Sequence, residues 1–412
     1  MSRGSAAPLD PPRDPPARAR PSAWLIRLLA LLLLLQTSVQ LARPVTSYRA
    51  LALDGGALEI GYTTAAFAIL PLLAAIPLGR LVDRWRPGPF LGVAAGLITT
   101  AGVILSGSDS ILDLAVGNAV LGLGNLCLMV PAQALIARRS SERNHDRDYG
   151  LFAAAVGVSQ LIGPAVAGLV LSLVDGDVRR ATALAFLGGA VTAACAVPAC
   201  WRLDGPRATA DRARDDGVGR PSPVAILRIP GVPGSVLASL TLIAAVDILI
   251  AYLPLIGVQR GMSPATVGVL LSLRAATSIA SRLVLAKLVA RWSRSGLIAT
   301  STAVSGLALA LVALPLDAVF LGVVLAVFGL LSGVGQPLTM SHLVALTPRS
   351  VRGTALGLRF GGNRAGQAVL PLAAGAVAAD AGISAAFLVL AALLGGCALL
   401  LQRESRVAPE GA

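Results

Sequence analysis

The segment Arg80-Leu-Val-Asp-Arg-Trp85 recurs 207 residues later as Lys287-Leu-Val-Ala-Arg-Trp292. The same offset brings several glycines and one proline of the two halves of the chain into register. A single register shared by widely separated segments indicates an internal duplication. The further aligned pairs are Gly61 with Gly268, Gly122 with Gly329, Gly150 with Gly357, Pro164 with Pro371, and Gly168 with Gly375.

The composition is that of a membrane protein. Of the 412 residues, 55% are hydrophobic and only 13% are charged, whereas soluble domains are about 25% charged. A helix that spans a bilayer needs about 20 mostly apolar residues. We therefore predict an all-α polytopic membrane protein, with twelve transmembrane helices arranged as two six-helix repeats. The predicted spans are 23–43, 59–79, 89–107, 112–136, 149–173, 181–201, 234–256, 264–285, 296–315, 317–340, 353–378 and 382–402.

The basic residues are distributed unevenly among the connecting segments. Of 34 Lys and Arg residues, 25 lie in alternate segments that begin with the N-terminus. This bias follows the positive-inside rule and predicts that both termini are cytoplasmic. All but one of the cations are arginines, which suggests a GC-rich bacterium and hence its inner (cell) membrane. The predicted outer loops hold five cations, namely Arg43, Arg49, Arg179, Arg180 and Arg260.

Composition also predicts the domain boundaries and excludes several partners. Residues 1–22 are rich in Pro and Arg and predict a disordered cytoplasmic arm. The polar stretch 202–233 predicts a cytoplasmic linker between six-helix bundles at 23–201 and 234–402, with a cytoplasmic tail at 403–412. Four isolated cysteines and two histidines predict no metal site and no cofactor. The net charge of +13 is too diluted by apolar runs to predict nucleic acid binding.

The segment Gly79-Arg-Leu-Val-Asp83-Arg84-Trp-Arg86 resembles a loop signature of the major facilitator superfamily, Gly-x-x-x-Asp-Arg-x-Gly-Arg-Arg/Lys. Its front half matches, whereas Arg86-Pro87-Gly88 replaces the end. The resemblance covers residues 23–402 and implies the major facilitator fold. It also implies a cytoplasmic gate at Gly79, Arg80, Asp83 and Arg84, in which Asp83 meets the N-terminus of the helix near Arg352. The alternative is that these arginines only determine topology.

The stretch Gly157-Val-Ser-Gln-Leu-Ile-Gly163-Pro164-Ala-Val-Ala-Gly168 is similar to the Gly-Pro-x-x-Gly-Gly motif of antiporters in this superfamily. Ala167 replaces the first glycine of the final pair. The resemblance implies a tight, bendable seam between the two halves and favours proton-coupled efflux; ordinary helix packing is the alternative. Asn118 stands where such antiporters often have an arginine, so proton coupling cannot be assigned to that position.

A few ionisable residues lie inside the predicted spans, where each charge costs at least about 2.5 to 3.5 kcal/mol. Asp247 lies near the bilayer midplane, and we predict that it pairs with Arg364 or Arg274 and that its protonation breaks the pair. The alternative is a static ion pair that fixes helix register. Tyr252 and Phe328 are the candidates for stacking on a solute. The predicted solute and proton pathway comprises Asp247, Arg274, Arg359, Asn363, Arg364, Gln336 and Gln40.

The sequence therefore predicts a secondary active transporter, not an enzyme. Its expected partners are a small organic solute, protons and the lipid bilayer, and a monomer is expected. Proton-coupled efflux is the first hypothesis, and proton-coupled or facilitated uptake of a metabolite is the second. A polytopic membrane enzyme would need clustered His or acidic residues, and an ATP-driven permease subunit would lack the repeat.

Overall fold

The computed structural model describes residues 22–141, 144–174, 176–200, 203, 223–348 and 352–407, which form thirteen helices and no strands. The first half holds α1 (Ala23–Ala52), α2 (Ala57–Arg84), α3 (Pro87–Ser106), α4 (Ile111–Arg139), α5 (His145–Leu173) and α6 (Val178–Cys200). The second half holds α7 (Pro223–Leu227), α8 (Val232–Gln259), α9 (Pro264–Val289), α10 (Arg294–Val312), α11 (Ala318–Leu346), α12 (Arg352–Ala381) and α13 (Ile383–Val407). The predicted all-α fold with two six-helix repeats is confirmed.

Within the described residues, eleven helices are long and apolar enough to cross a membrane. The twelfth long helix, α12, is more polar, because it carries Arg352, Arg359 and Arg364. It packs against α2, α8 and α13. Its neighbours on these sides are protein, which fits the rule that polar residues of spanning helices face protein or water.

Short connections make successive long helices antiparallel, so their ends collect at two faces of the molecule. We call the face with the start of α1 and the end of α13 the terminal face. The opposite face, which holds the α1–α2, α5–α6, α8–α9 and α12–α13 connections, is the distal face. Equivalent helices of the two repeats therefore point in the same direction, as expected for parallel repeats.

Helix α1 extends to Ala52, nine residues beyond its predicted end. The assignment of Arg43 and Arg49 to an outer loop is therefore wrong. Both side chains have partners inside the protein: Arg43 pairs with Asp247, and Arg49 donates to backbone carbonyl groups. A cation with such partners can remain within a helix, and hydropathy alone does not reveal the partners.

The predicted linker contains helical residues at its C-terminal end. The short helix α7 lies within 202–233, and α8 begins at Val232. The helix α13 also continues into the predicted tail, as far as Val407. Residues 1–21, 201–202, 204–222 and 408–412, which include most of the predicted arm and linker and half of the predicted tail, lie outside the described residues.

Arginines bind helix ends at the distal face in both halves. Arg49, 4% exposed, donates from Nη2 to the carbonyl oxygens of Ser106 and Ser108 at 3.2 and 2.9 Å. In the second half, Arg260 donates from Nη2 to the carbonyl oxygen of Leu314 at 2.7 Å. The last carbonyls of a helix have no intrahelical donor, and a cation suits that end of the helix dipole. Each arginine thus fastens the first long helix of its half to the C-terminal end of the third.

We expect Arg49→Met to lower the stability of the fold. Methionine keeps most of the apolar length, but it leaves buried carbonyl oxygens without donors, at about 1 to 3 kcal/mol each. The expected loss is about 3 kcal/mol, measured as a lower unfolding temperature in detergent. The matched control is Arg180→Met, because Arg180 is exposed on the same face. Equal unfolding temperatures for the two variants would contradict this role of Arg49.

Candidate translocation site

Asp247, midway along α8 and 5% exposed, is the centre of a hydrogen-bonded network. Its Oδ1 accepts from Nη2 of Arg43 at 2.7 Å, and its Oδ2 accepts from Nε2 of Gln367 at 2.6 Å. Arg364 donates from Nη1 to Oε1 of Gln367 at 3.1 Å. The guanidinium of Arg43 also lies 5.1 Å from the ring centroid of Phe67 on α2. The carboxylate of Asp247 on α8 therefore joins α1 of the first half to α12 of the second, and Arg43 extends the network to α2.

The ion pair of Asp247 differs from the predicted one. Its partner is Arg43, not Arg364 or Arg274, and Arg364 reaches the carboxylate only through Gln367. Sequence reasoning missed Arg43 because the residue was placed in a loop. One signal was present: Gln36, Gln40 and Arg43 follow one another at spacings of four and three, which puts them on one helix face.

Arg274 on α9 is 3% exposed, and its side chain has no hydrogen bond or ion pair to any residue that the structure describes. It lies close enough to Arg43 and Asp247 to interact with both charges. Arg364 interacts electrostatically with the same two residues. Three guanidinium groups, from α1, α9 and α12, thus interact with the charge of one carboxylate.

The other predicted pathway residues lie beside this centre. Arg359 donates from Nη2 to the backbone oxygen of Gln336 at 3.1 Å and to Oγ1 of Thr339 at 3.2 Å, which ties α12 to α11. Asn363 is 5% exposed, and its Oδ1 has no partner among the described residues. Gln40 is buried in α1 against α5. Asp247 and Arg364 are thus in one network, whereas Arg359 and Gln336 form a separate contact.

A small cavity lies next to Arg43, with room for about one water molecule. It is lined by residues of α1, α2, α4 and α8. Asn118 donates from Nδ2 to Oγ1 of Thr46 at 3.3 Å at its edge. Asn118 therefore makes a buried, uncharged contact with α1. The polar lining consists of Arg43, Thr46, Thr63, Thr64 and Asn118.

The two halves meet at the distal face in two close helix crossings. An added Cβ at Gly61 would lie 2.7 Å from the carbonyl oxygen of Pro371, and one at Gly268 would lie 2.5 Å from that of Pro164. Gly61 and Gly268 are 207 residues apart, and so are Pro164 and Pro371. The two contacts are therefore equivalent positions of the repeat. Such distances leave no space for a side chain. The α2–α12 crossing is formed by Gly61, Pro371 and Gly375, and the α5–α9 crossing by Gly268, Pro164 and Gly168.

Tyr252 is not available for stacking on a solute in this conformation. It is completely buried, and its hydroxyl group donates to the carbonyl oxygen of Ala57 at 2.9 Å. That hydroxyl group lies within 3.0 Å of the Cβ positions of both Gly61 and Gly375, so it fills the α2–α12 crossing. Phe328 is also completely buried.

The motif on α5 contacts both halves. An added Cβ at Gly157 would lie 2.8 Å from Cγ1 of Ile279 on α9, and one at Gly163 would lie 2.6 Å from Cβ of Gln40 on α1. Gly157 and Gly168 therefore face the second half, whereas Gly163 packs within the first. Close packing alone accounts for these small residues.

The terminal face differs from the distal face. A Cβ added at Gly79, Gly150 or Gly357 would meet no atom within 4 Å outside its own neighbourhood. Arg80 and Arg84 are exposed at the end of α2. The side chain of Asp83 and residues 349–351 lie outside the described parts, so the contact of Asp83 with α12 stays a prediction. Gly79 makes no close helix contact in this conformation, in which the two halves are tight at the distal face.

Two parallel six-helix repeats with a buried charged centre between them define a membrane transporter built from a duplicated helical bundle. The family model of the Major Facilitator Superfamily matches residues 28–294 and 235–411. The chain therefore belongs to the Major Facilitator Superfamily and is a multi-pass membrane transporter. No curated protein sequence matches the chain significantly.

Several solved transporters have a similar fold. A point mutant of the nucleoside transporter NupG superposes with a TM-score of 0.76 at 14% identity, over 92% of this chain and 98% of that one. A D-xylose–proton symporter gives 0.75 at 13% identity, over 92% and 97% of the two chains. A bacterial homologue of the human lysosomal transporter Spinster, inward-facing and unoccupied, gives 0.72 at 14% identity, over 94% and 98%. At these identities the similarity extends to the fold alone.

Proposed function

We propose that this transporter is proton-coupled and that Asp247 is the group that takes up the proton. The observation that carries the proposal is the ion pair between Arg43 and Asp247, which links the two halves between the distal crossings and the terminal face. A proton on Asp247 removes its negative charge, and Arg43 then loses its partner. One protonation thus changes the attraction between the two bodies that move in alternating access.

The size of this effect is adequate for a switch. Two unit charges about 4 Å apart attract by about 4 kcal/mol at an effective dielectric constant of 20. Removing one partner of a buried ion pair costs about 3 to 5 kcal/mol of stability. For comparison, a shift in the populations of two conformations from 1:99 to 99:1 needs about 5.5 kcal/mol. The loss of this attraction is therefore comparable in size to the free energy that separates the two conformations of a switch.

We also propose that the terminal face is cytoplasmic, so that the described conformation faces inward. The cation bias of the connecting segments supports this orientation in a bacterial cell membrane. The tight distal crossings and the similarity to an inward-facing structure are consistent with it. A single chain supplies both halves, which supports a monomer as the working unit.

For the direction of transport we propose uptake by proton symport. The charge of Asp247 interacts with those of three arginines, so a cationic solute would be repelled there, most strongly after protonation. A solute without positive charge is not repelled and can be bound at the same time as the proton. Simultaneous binding of proton and solute is the condition for symport. The second candidate is proton-coupled export, and the resemblance of the α5 segment to the antiporter motif favours it.

Proton movement in proteoliposomes tests coupling and direction together. Purified protein is reconstituted with a trapped pH dye, and membrane-impermeant sugars, nucleosides, amino acids and organic acids are added outside without nucleotide. We expect at least one solute to acidify the lumen, because symport carries the proton inward with it. Alkalinisation would establish antiport instead, and no pH change with any solute would contradict proton coupling. Empty liposomes are the control for leakage.

A further inference from the structure

The charges around Asp247 do not balance. Arg43 forms an ion pair with this carboxylate, and Arg274 and Arg364 each interact electrostatically with both Asp247 and Arg43. The described residues contain no second acidic side chain in the middle of a long helix. The others lie near helix ends or in connections, such as Glu59, Asp113, Asp148, Asp380 and Glu404. The centre therefore holds two positive charges in excess.

Arg274 is the least compensated member of this set. It is 3% exposed, its Nε has no partner, and its side chain makes no hydrogen bond to any residue that the structure describes. A guanidinium carries five N–H donors and stays charged inside proteins. Burying an ion without a partner is strongly unfavourable, so this charge does not stabilise the fold. An ionisable residue inside a membrane-spanning segment is by default a functional one, which indicates that the charge binds a ligand.

We infer that the solute is an organic anion whose carboxylate or phosphate oxygens are bound by Arg274 together with Arg364. The planar guanidinium group forms paired hydrogen bonds with such oxyanions. Arg43 and Gln367 already hold Asp247, which leaves the donors of Arg274 for the solute. This inference rests on the proposed function, because it places the solute beside the proton acceptor of the same site.

The inference also explains why proton and solute would travel together. A bound anion adds negative charge near Asp247 and therefore favours its protonation. Protonation in turn adds positive charge near the anion and favours its binding. By thermodynamic reciprocity the two affinities rise by the same factor, which we expect to be at least about tenfold. An anion and a proton thus form a natural pair for symport at this centre.

The first experiment compares solutes of matched skeleton and different charge. Thermal unfolding of the detergent-solubilised protein is measured at constant ionic strength with three pools. The anionic pool is gluconate, lactate and 3-phosphoglycerate; the neutral pool is glucose, 1,2-propanediol and glycerol; the cationic pool is glucosamine, 1-amino-2-propanol and serinol. We expect only the anionic pool to raise the unfolding temperature, and Arg274→Met to lose that rise. A rise from another pool, no rise from the anionic pool, or an unchanged rise in Arg274→Met would overturn the inference.

The second experiment needs no solute. Arg274→Met removes an unpaired buried charge and keeps the apolar length of the side chain, so we expect its unfolding temperature without solute to exceed that of the wild type. Arg49→Met, in which a paired arginine is lost, is the control and changes in the opposite direction. A lower temperature for Arg274→Met would show that its charge serves the fold and would overturn the inference.

The two proposals fail separately. Proton movement driven only by neutral or cationic solutes would leave the proposed function intact and remove the anion. Stabilisation by the anionic pool without any proton movement would retain the anion site and remove the coupling.

Discussion

Asp247→Asn is expected to abolish proton-driven accumulation of solute, at least tenfold below wild type, while exchange of labelled for unlabelled solute continues. Asparagine has nearly the shape of aspartate but cannot take up a proton, so the variant resembles a permanently protonated site. Its amide oxygen can still accept from Gln367, but the attraction to Arg43 is lost. The variant should therefore still bind and exchange solute and also populate the open distal face.

The measurement is accumulation in proteoliposomes under an inward proton gradient, with the solute identified from the proton signal. The matched control is Asp380→Asn, the same chemical change at an exposed position near the distal end of α12. Normal accumulation in Asp247→Asn would show that the ion pair is static and only fixes helix register.

Gly168→Leu is expected to reduce transport more than tenfold, because the added side chain meets the backbone of α9 at the α5–α9 crossing. A Cβ at Gly168 would lie 2.5 Å from the carbonyl oxygen of Pro264 and 3.1 Å from Cα of Gly268. Backbone atoms cannot move aside as a flexible side chain can, so the distal face cannot close. Helix propensity does not explain such a loss, since leucine is the better helix former.

The control for this variant is Gly188→Leu, because Gly188 is an exposed position of α6 with no atom within 4 Å of its Cβ position. The repeat makes a second test available: Gly375 is the equivalent of Gly168 in the α2–α12 crossing, and Gly375→Leu should have a comparable effect. Transport is measured as exchange of labelled solute after both variants are shown to be monodisperse. Wild-type exchange in Gly168→Leu would contradict the role of the distal crossings.

The repeat predicted more of the structure than any single motif. The pairs Gly61 with Gly268 and Pro164 with Pro371 are aligned by sequence alone, and in the structure each glycine packs against the proline of the opposite half. The reason is physical: a close crossing requires a glycine, and a duplicated chain places that requirement at the same position twice. The sequence could not show which helices cross there.

Asp247 was predictable as the central residue because it is the acidic residue deepest within a predicted span. Its partner was not predictable, since Arg43 lies 204 residues away in the sequence. The cations near the end of α1 also made the predicted span end too early. A hydropathy scale places an arginine outside the membrane, and only the tertiary structure shows that this arginine pairs with a carboxylate inside the protein. The polarity of α12 has the same explanation, because Arg359 and Arg364 find their partners on other elements or through Gln367.

The distance between the two halves at the distal face tests the central claim most directly. Spin labels are placed by Leu112→Cys and Val319→Cys, two exposed positions that the repeat makes equivalent, with Cys195→Ser to remove the exposed native cysteine. Pulsed electron spin resonance in nanodiscs then compares this protein with its Asp247→Asn form, without solute. In the wild-type protein we predict a short distance between the two labels, because the ion pair between Asp247 and Arg43 holds the distal face closed. In Asp247→Asn we predict a shift of this distance to larger values. Identical distance distributions would contradict the claim that this ion pair controls the distal face.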